Sequence, residues 1–163
     1  PLVEAIYETL HREPQVLVCA QSDMAVDWIS EKLVDRGVNV LRIGNPTRVN
    51  DKMLSFTYER RFENHPLYPE LWSIRKELRL LGGKSRRGSY DEREGIRNRM
   101  SRLRDRATTL EIQINSELFD SAHVIASTLV SRPYSIGRSP LPASAYHQMI
   151  RSRTWRAGPD FNG

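Results

Sequence analysis

A chain of 163 residues is long enough for one hydrophobic core carrying an insertion, and its 39% apolar and 28% charged side chains exclude disorder throughout. A mean hydropathy of −0.56 excludes an unusually large core. The net charge of +5 is unevenly spread, with five basic and seven acidic side chains in residues 1–50 against fifteen and nine in 51–110, so contact with a polyanion is expected in the middle segment.

Pro1-Leu2-Val3-Glu4-Ala5-Ile6 reads as helix with no leader or N-cap before it, as expected of a fragment. Leu2, Ile6 and Leu10 form one helical stripe, which Pro14 ends. Val16 to Ala20 is nearly continuous and apolar, the pattern of a strand covered on both faces. Cys19 lies in that run and reads as buried packing; as the only cysteine it excludes an intrachain disulfide. Ser22 or Asp23 caps a helix whose apolar face is Ala25, Val26, Ile29, Leu33 and Val34, and Gly37 stops it. Val38 to Ile43 is a second strand. Helix, strand, helix, strand at this spacing predicts an α/β fold with a parallel sheet.

After Gly44-Asn45-Pro46 the composition changes. Met53 to Phe62 looks helical, Leu71 to Leu81 resumes the helix after His65-Pro66 and Pro69, and Gly82 to Ser89 reads as a flexible basic turn. From Asp91 to Leu118 a long polar helix carries Ile96, Met100, Leu103, Ala107, Leu110 and Ile114 at spacings of three or four. These segments predict an inserted antiparallel helical hairpin. Val124-Ile125-Ala126 returns to strand, and the proline-rich stretch after Val130 has no sustained period. The expected organisation is an α/β core over 1–50, the hairpin over 51–118, a return to the core over 119–130 and an irregular tail over 131–163.

Parallel sheets gather ligands beyond the carboxyl ends of their strands. The polar elbows Gln21-Ser22-Asp23 and Ser127-Thr128 fall there, with Gly44-Asn45-Pro46 at a third strand end. Amides at the start of the Met24 to Val34 helix can receive a phosphate oxygen. The hydroxyls of Ser22 and Thr128 can hydrogen-bond a sugar-phosphate backbone without reading bases. The Asp23 carboxylate suits an N-cap and repels phosphate. Other chemistry lacks support. Asp27 and Glu31 share a helical face without a pocket or partner for acid/base work, and the four histidines have no zinc-like spacing. Ser22 lacks the glycines of a nucleophile elbow. Gly82-Gly83-Lys84-Ser85 mimics only the end of GxxxxGK[ST] and sits between helices instead of after a strand.

VLVCAQSDMAVDWISEKL resembles motif Ia of the Upf1-like superfamily 1 helicases, usually written CAPSNxAVDxxxxxL. The similarity continues through VNVLRIGNPTRV, like the next strand and loop, to HVIASTL, like the strand and threonine of motif Ic, covering roughly residues 2 to 130. The resemblance implies part of a first RecA-like (P-loop NTPase) domain with an inserted helical hairpin. It places Ser22, Asp23, Val26 and Thr128 at positions that contact the backbone of single-stranded DNA or RNA, with the hairpin beside the strand's channel. Asp23 stands where that family has asparagine. ATP and Mg²⁺ are implied for an intact parent, together with the remainder of the helicase core as partner. The Walker A loop expected before Leu2 and the DExx motif expected after Ser131 are not in this sequence, so no catalytic, cofactor-binding or metal residue is assigned to it.

The reading is therefore a helicase fragment gripping single strands with Ser22, Asp23, Val26 and Thr128 and with the basic turn residues Lys84, Arg86 and Arg87, without its own ATP hydrolysis. The alternative is a structural or protein-interaction hairpin on an α/β remnant. No run of eighteen apolar residues and no signal peptide occur, so a cytoplasmic protein without a membrane partner is expected.

Overall fold

The computed structural model describes residues 2–85 and 88–129. The chain divides into two compact units, Pro1–Ser131 and Arg132–Gly163. The expectation of an irregular tail over 131–163 lies outside the described residues, as do Arg86 and Arg87.

The described part runs α1 (Leu2–Leu10), β1 (Val16–Ala20), α2 (Asp23–Val34), β2 (Val40–Ile43), α3 (Tyr58–Glu63), α4 (Tyr68–Lys84), α5 (Tyr90–Ser121) and β3 (Val124–Thr128). Two 3₁₀ turns, Pro46–Arg48 and Leu54–Phe56, lead from β2 into α3. The strands form one parallel sheet in the order β1-β3-β2. The last strand is therefore the central one, inserted between two strands more than eighty residues upstream. Val16, Val124 and Val40 stand level at one end of the sheet; at the other, Ala20 pairs with Thr128 and Ile43 with Ser127. The architecture is the α/β parallel sheet of a partial RecA-like domain carrying a helical hairpin.

Side chains alternate across each strand, and the register sorts them into two faces. Val18, Val40, Val124 and Ala126 join Ile6 of α1 and Val26, Ile29 and Leu33 of α2 in the main core. Leu17, Ile125 and Leu41 share the opposite face, buried at Ile125 and Leu41 but 51% exposed at Leu17. Cys19 is exposed on that same face. This corrects the expectation that β1 is covered on both faces and that Cys19 is buried: β1 is an edge strand, and α3 packs at the β2 side. After α2, Gly37 at φ +78° supplies the left-handed residue that lets the chain reverse toward β2.

The insertion departs locally from the sequence reading. Met53 to Phe62 is a 3₁₀ turn followed by the short α3, not one helix. The stretch read as a flexible turn from Gly82 is helical as far as Lys84. Glycine is a poor helix former, but here it extends an existing helix, and nothing lies within 4 Å of a Cβ built at either Gly82 or Gly83. Ser89 begins α5 with a capping box: its hydroxyl accepts from the Glu92 amide while Glu92 accepts from the Ser89 amide. Leu71 and Ile74 of α4 and Ala107, Leu110 and Ile114 of α5 are buried where the two helices pack together.

The foot of α5 is tied to both ends of the sheet. Gln15 donates from Nε2 to the carbonyls of Phe119 and Ala122 at 2.8 Å each, level with the start of β1. Further up, the Tyr58 hydroxyl donates to Asn115, next to Thr57, which bridges to Arg42 near the carboxyl end of β2. Helix α5 thus descends antiparallel to the strands.

Candidate nucleic-acid interface

The carboxyl ends of the strands bring the polar elbows together. Ala20 and Thr128 are paired residues of neighbouring strands, and the Leu129 amide donates to the Ala20 carbonyl at 2.9 Å. Ser22 follows Ala20 by two residues, so Ser22 and Thr128 share one edge. Ile43 pairs with Ser127 on the other side, and Gly44 and Asn45 complete the rim. Asn45 closes its own turn by accepting from the Thr47 amide at 3.0 Å.

Ser22, not Asp23, caps α2: Ser22 is extended and its Oγ accepts from the Ala25 amide at 3.2 Å. Of the two cap candidates in the sequence, Ser22 and Asp23, it is Ser22 that caps. Asp23 is the first residue of the helix, and its carboxylate accepts from Arg42 Nη2 at 2.7 Å. Arg42 has no solvent exposure. Its Nε donates to Asp27 at 2.8 Å, and Nη1 donates to the Ile43 carbonyl. Asp27, also buried, accepts with its other oxygen from the Asn50 amide at 2.9 Å. A buried guanidinium requires this arrangement, because removing one partner of a buried pair typically costs about 3–5 kcal/mol. Nearby Glu59, on α3, leaves one buried carboxylate oxygen without a hydrogen bond. Burial, opposed by its own backbone amide, pushes its carboxyl above the usual range, while Asp23 and Asp27 hydrogen-bond Arg42 directly. Gly44 belongs to this cluster: a Cβ there would lie 2.8 Å from Arg42 Nη1.

The other sequence-predicted residues are placed apart. Val26 has no solvent exposure and packs in the main core, and its amide is bonded to the Ser22 carbonyl. Lys84 is exposed at the end of α4, a hairpin's length from the elbows. Asp27 and Glu31 fasten the loop after β2, Glu31 through Asn50 and Lys52. Arg42 went unrecognised in the sequence. The signal was there: an arginine inside the run Val40-Leu41-Arg42-Ile43, with two aspartates four apart on the preceding helix.

Gly82, Gly83 and Lys84 are the last turn of a helix instead of a loop after a strand, and no group of three or more His, Cys, Asp or Glu among the described residues could hold a metal ion. No described helix is long and apolar enough to cross a membrane.

The family described as AAA domain matches residues 2–138. An uncharacterized ATP-dependent helicase of Methanocaldococcus jannaschii is 29% identical over 78 residues, 47% of this chain and 12% of the relative. DNA polymerase alpha-associated DNA helicase A of Schizosaccharomyces pombe is 34% identical over 58 residues, 36% of this chain and 9% of the relative. DNA-binding protein SMUBP-2 of Rattus norvegicus is 26% identical over 129 residues, 78% of this chain and 13% of the relative. The matched segments are thus a small part of each of these proteins.

Proposed function

The chain belongs to the AAA domain family, among the Upf1-like superfamily 1 helicases, and on that premise we propose that it supplies backbone contacts to single-stranded DNA or RNA within an ATP-dependent helicase. The observation that carries this reading is the pairing of Ala20 with Thr128, which sets two hydroxyl-bearing elbows on one edge. Ser22 Oγ accepts the Ala25 amide of the helix cap with one lone pair, and its O–H can donate to a phosphate oxygen. The amides of Asp23 and Met24 precede the first bonds of the helix and face the same rim. Such groups hold a backbone of any sequence. ATP and Mg²⁺ belong to the rest of the helicase core, and the setting is cytoplasmic.

Fluorescence anisotropy with labelled single strands across a salt series tests the proposal. Binding at low salt is expected, with the logarithm of affinity falling linearly with the logarithm of salt. Thr128→Val should weaken strands of different sequence alike while the chain stays folded. Absence of binding at low salt, or binding indifferent to salt, would remove the reading. The rival, a hairpin that docks a protein, draws on exposed Trp72, Leu80 and Tyr90; it predicts that Lys84→Glu leaves nucleic-acid affinity unchanged.

A further inference from the structure

The connection between α4 and α5 ends on Ser89, which is exposed and extended, at φ −64° and ψ 171°. Its Oγ accepts the Glu92 amide with one lone pair, at the long distance of 3.4 Å, and keeps the other for reaction. Arg86 and Arg87 stand three and two residues before it in the chain, Gly88 lies between, and Tyr90, 81% exposed, follows it. The chain has two Arg-Arg pairs, and only this one has a hydroxyl two positions on; after Arg60-Arg61 that position is Glu63. Protein kinases select their acceptors by charge patterns of this kind, and two adjacent guanidinium forks suit carboxylates of an acidic substrate groove.

We propose that Ser89 is a phosphorylation site, modified by a serine/threonine kinase whose acidic groups grip Arg86 and Arg87. Ser89 already has the extended backbone that a kinase groove takes, so only the first turn of α5 must loosen to admit Tyr90, and helix ends open most readily. Ser89 Oγ attacks the γ-phosphorus of ATP held by the kinase. The Oγ–P bond forms as the bond to the β,γ-bridging oxygen breaks, ADP leaves with that electron pair, and the hydroxyl proton passes to a carboxylate of the kinase. The product places a charge of about −1.5 to −2 at the start of α5, where the Ser89 amide now donates to the Glu92 carboxylate at 2.9 Å. Like charge drives that carboxylate off, which loses one bond. The phosphate oxygens take the amides of Asp91 and Glu92 at the positive end of the helix, which gains two charge-assisted bonds. Arg93, whose Nε donates to the Gly88 carbonyl at 2.8 Å, stands beside them as a counter-charge. The phosphate is therefore the stronger cap, and modification tightens the first turn of α5.

The site is independent of the strand contacts proposed at the elbows. The full chain, incubated with ATP and a purified arginine-directed serine/threonine kinase, tests it, with phosphate counted by intact mass and placed by peptide mapping. One phosphate on Ser89 is expected. Arg86→Gln and Arg87→Gln should each lower kcat/KM for its incorporation roughly tenfold or more, since each removes a charge-assisted contact. Lys84→Gln, which takes a charge from the same stretch outside the pair, should change it less than about threefold. In the phosphorylated chain the first-turn amides of α5 should exchange roughly fivefold or more slowly than in the unmodified chain, the effect of a stronger cap. Arg93→Gln should shrink that gain while Ser89 is still modified. No phosphate on the native chain, phosphate on another residue in its place, or incorporation indifferent to both arginines would overturn the site. Unchanged or faster exchange after modification of Ser89 would overturn the tightened cap.

Discussion

A guanidinium with no solvent exposure keeps its charge only where carboxylates surround it, and Arg42 has Asp27 beneath it and Asp23 at the rim. The same pair makes the elbow poor for phosphate, since two carboxylates answer one guanidinium beside the proposed strand path. Asp23→Asn should therefore raise single-strand affinity about three- to tenfold at low salt. It should also cost about 1 kcal/mol of stability, well below the cost of breaking a fully buried pair, because the Asp23 side chain is 25% exposed. Anisotropy and urea unfolding on one preparation measure both. An unchanged affinity with the stability loss intact would mean that Asp23 serves Arg42 alone and never meets the strand. The residue-type argument left Ser22 and Asp23 both as cap candidates, because both cap helices well and only the folded backbone and the position of Arg42 distinguish them.

Among the elements, α5 is the most demanding. It has 32 residues and its apolar positions are spaced for contact with one neighbour, so its distal half is held by α4 and its own start. The Ser89 box satisfies two amides that would otherwise be unbonded. Ser89→Ala should cost about 1 kcal/mol, appearing as faster amide exchange in the first turn of α5 with β3 unchanged. Equal acceleration throughout would instead make the hairpin and sheet one cooperative unit. The extent of this helix was legible in its spacing of three and four, whereas its neighbour was read too short. Gly82 and Gly83 are turn residues by propensity, yet their backbone completes a turn already nucleated by fourteen helical residues before them.

Across the whole molecule, the described residues cover one face of the sheet fully and the other only at β2 and β3. Leu17 and Cys19 are open to solvent. Cys19 in the native chain should react with a water-soluble maleimide at close to the rate of the denatured chain. Protection by tenfold or more would show that this face is covered in solution. Apolar runs cannot reveal this: a strand buried on both faces and an edge strand with one bare face are written in the same residues, and strand order alone separates them.

The sequence by itself determined the alternation of helix and strand, the parallel sheet, the inserted hairpin and the presence of polar elbows at the strand ends. These follow from local periodicity, breakers and caps, which act within a few residues. Tertiary structure alone decided that β3 lies between β1 and β2, that Ser22 and Thr128 share an edge, that Val26 is buried, and that Arg42 takes Asp23. It alone joined the two hairpin helices through Arg99 with Glu77, Arg106 with Glu70 and Arg75 with Glu111. Each of these depends on groups that meet across long stretches of chain, where burial and charge pairing are settled by which surfaces touch.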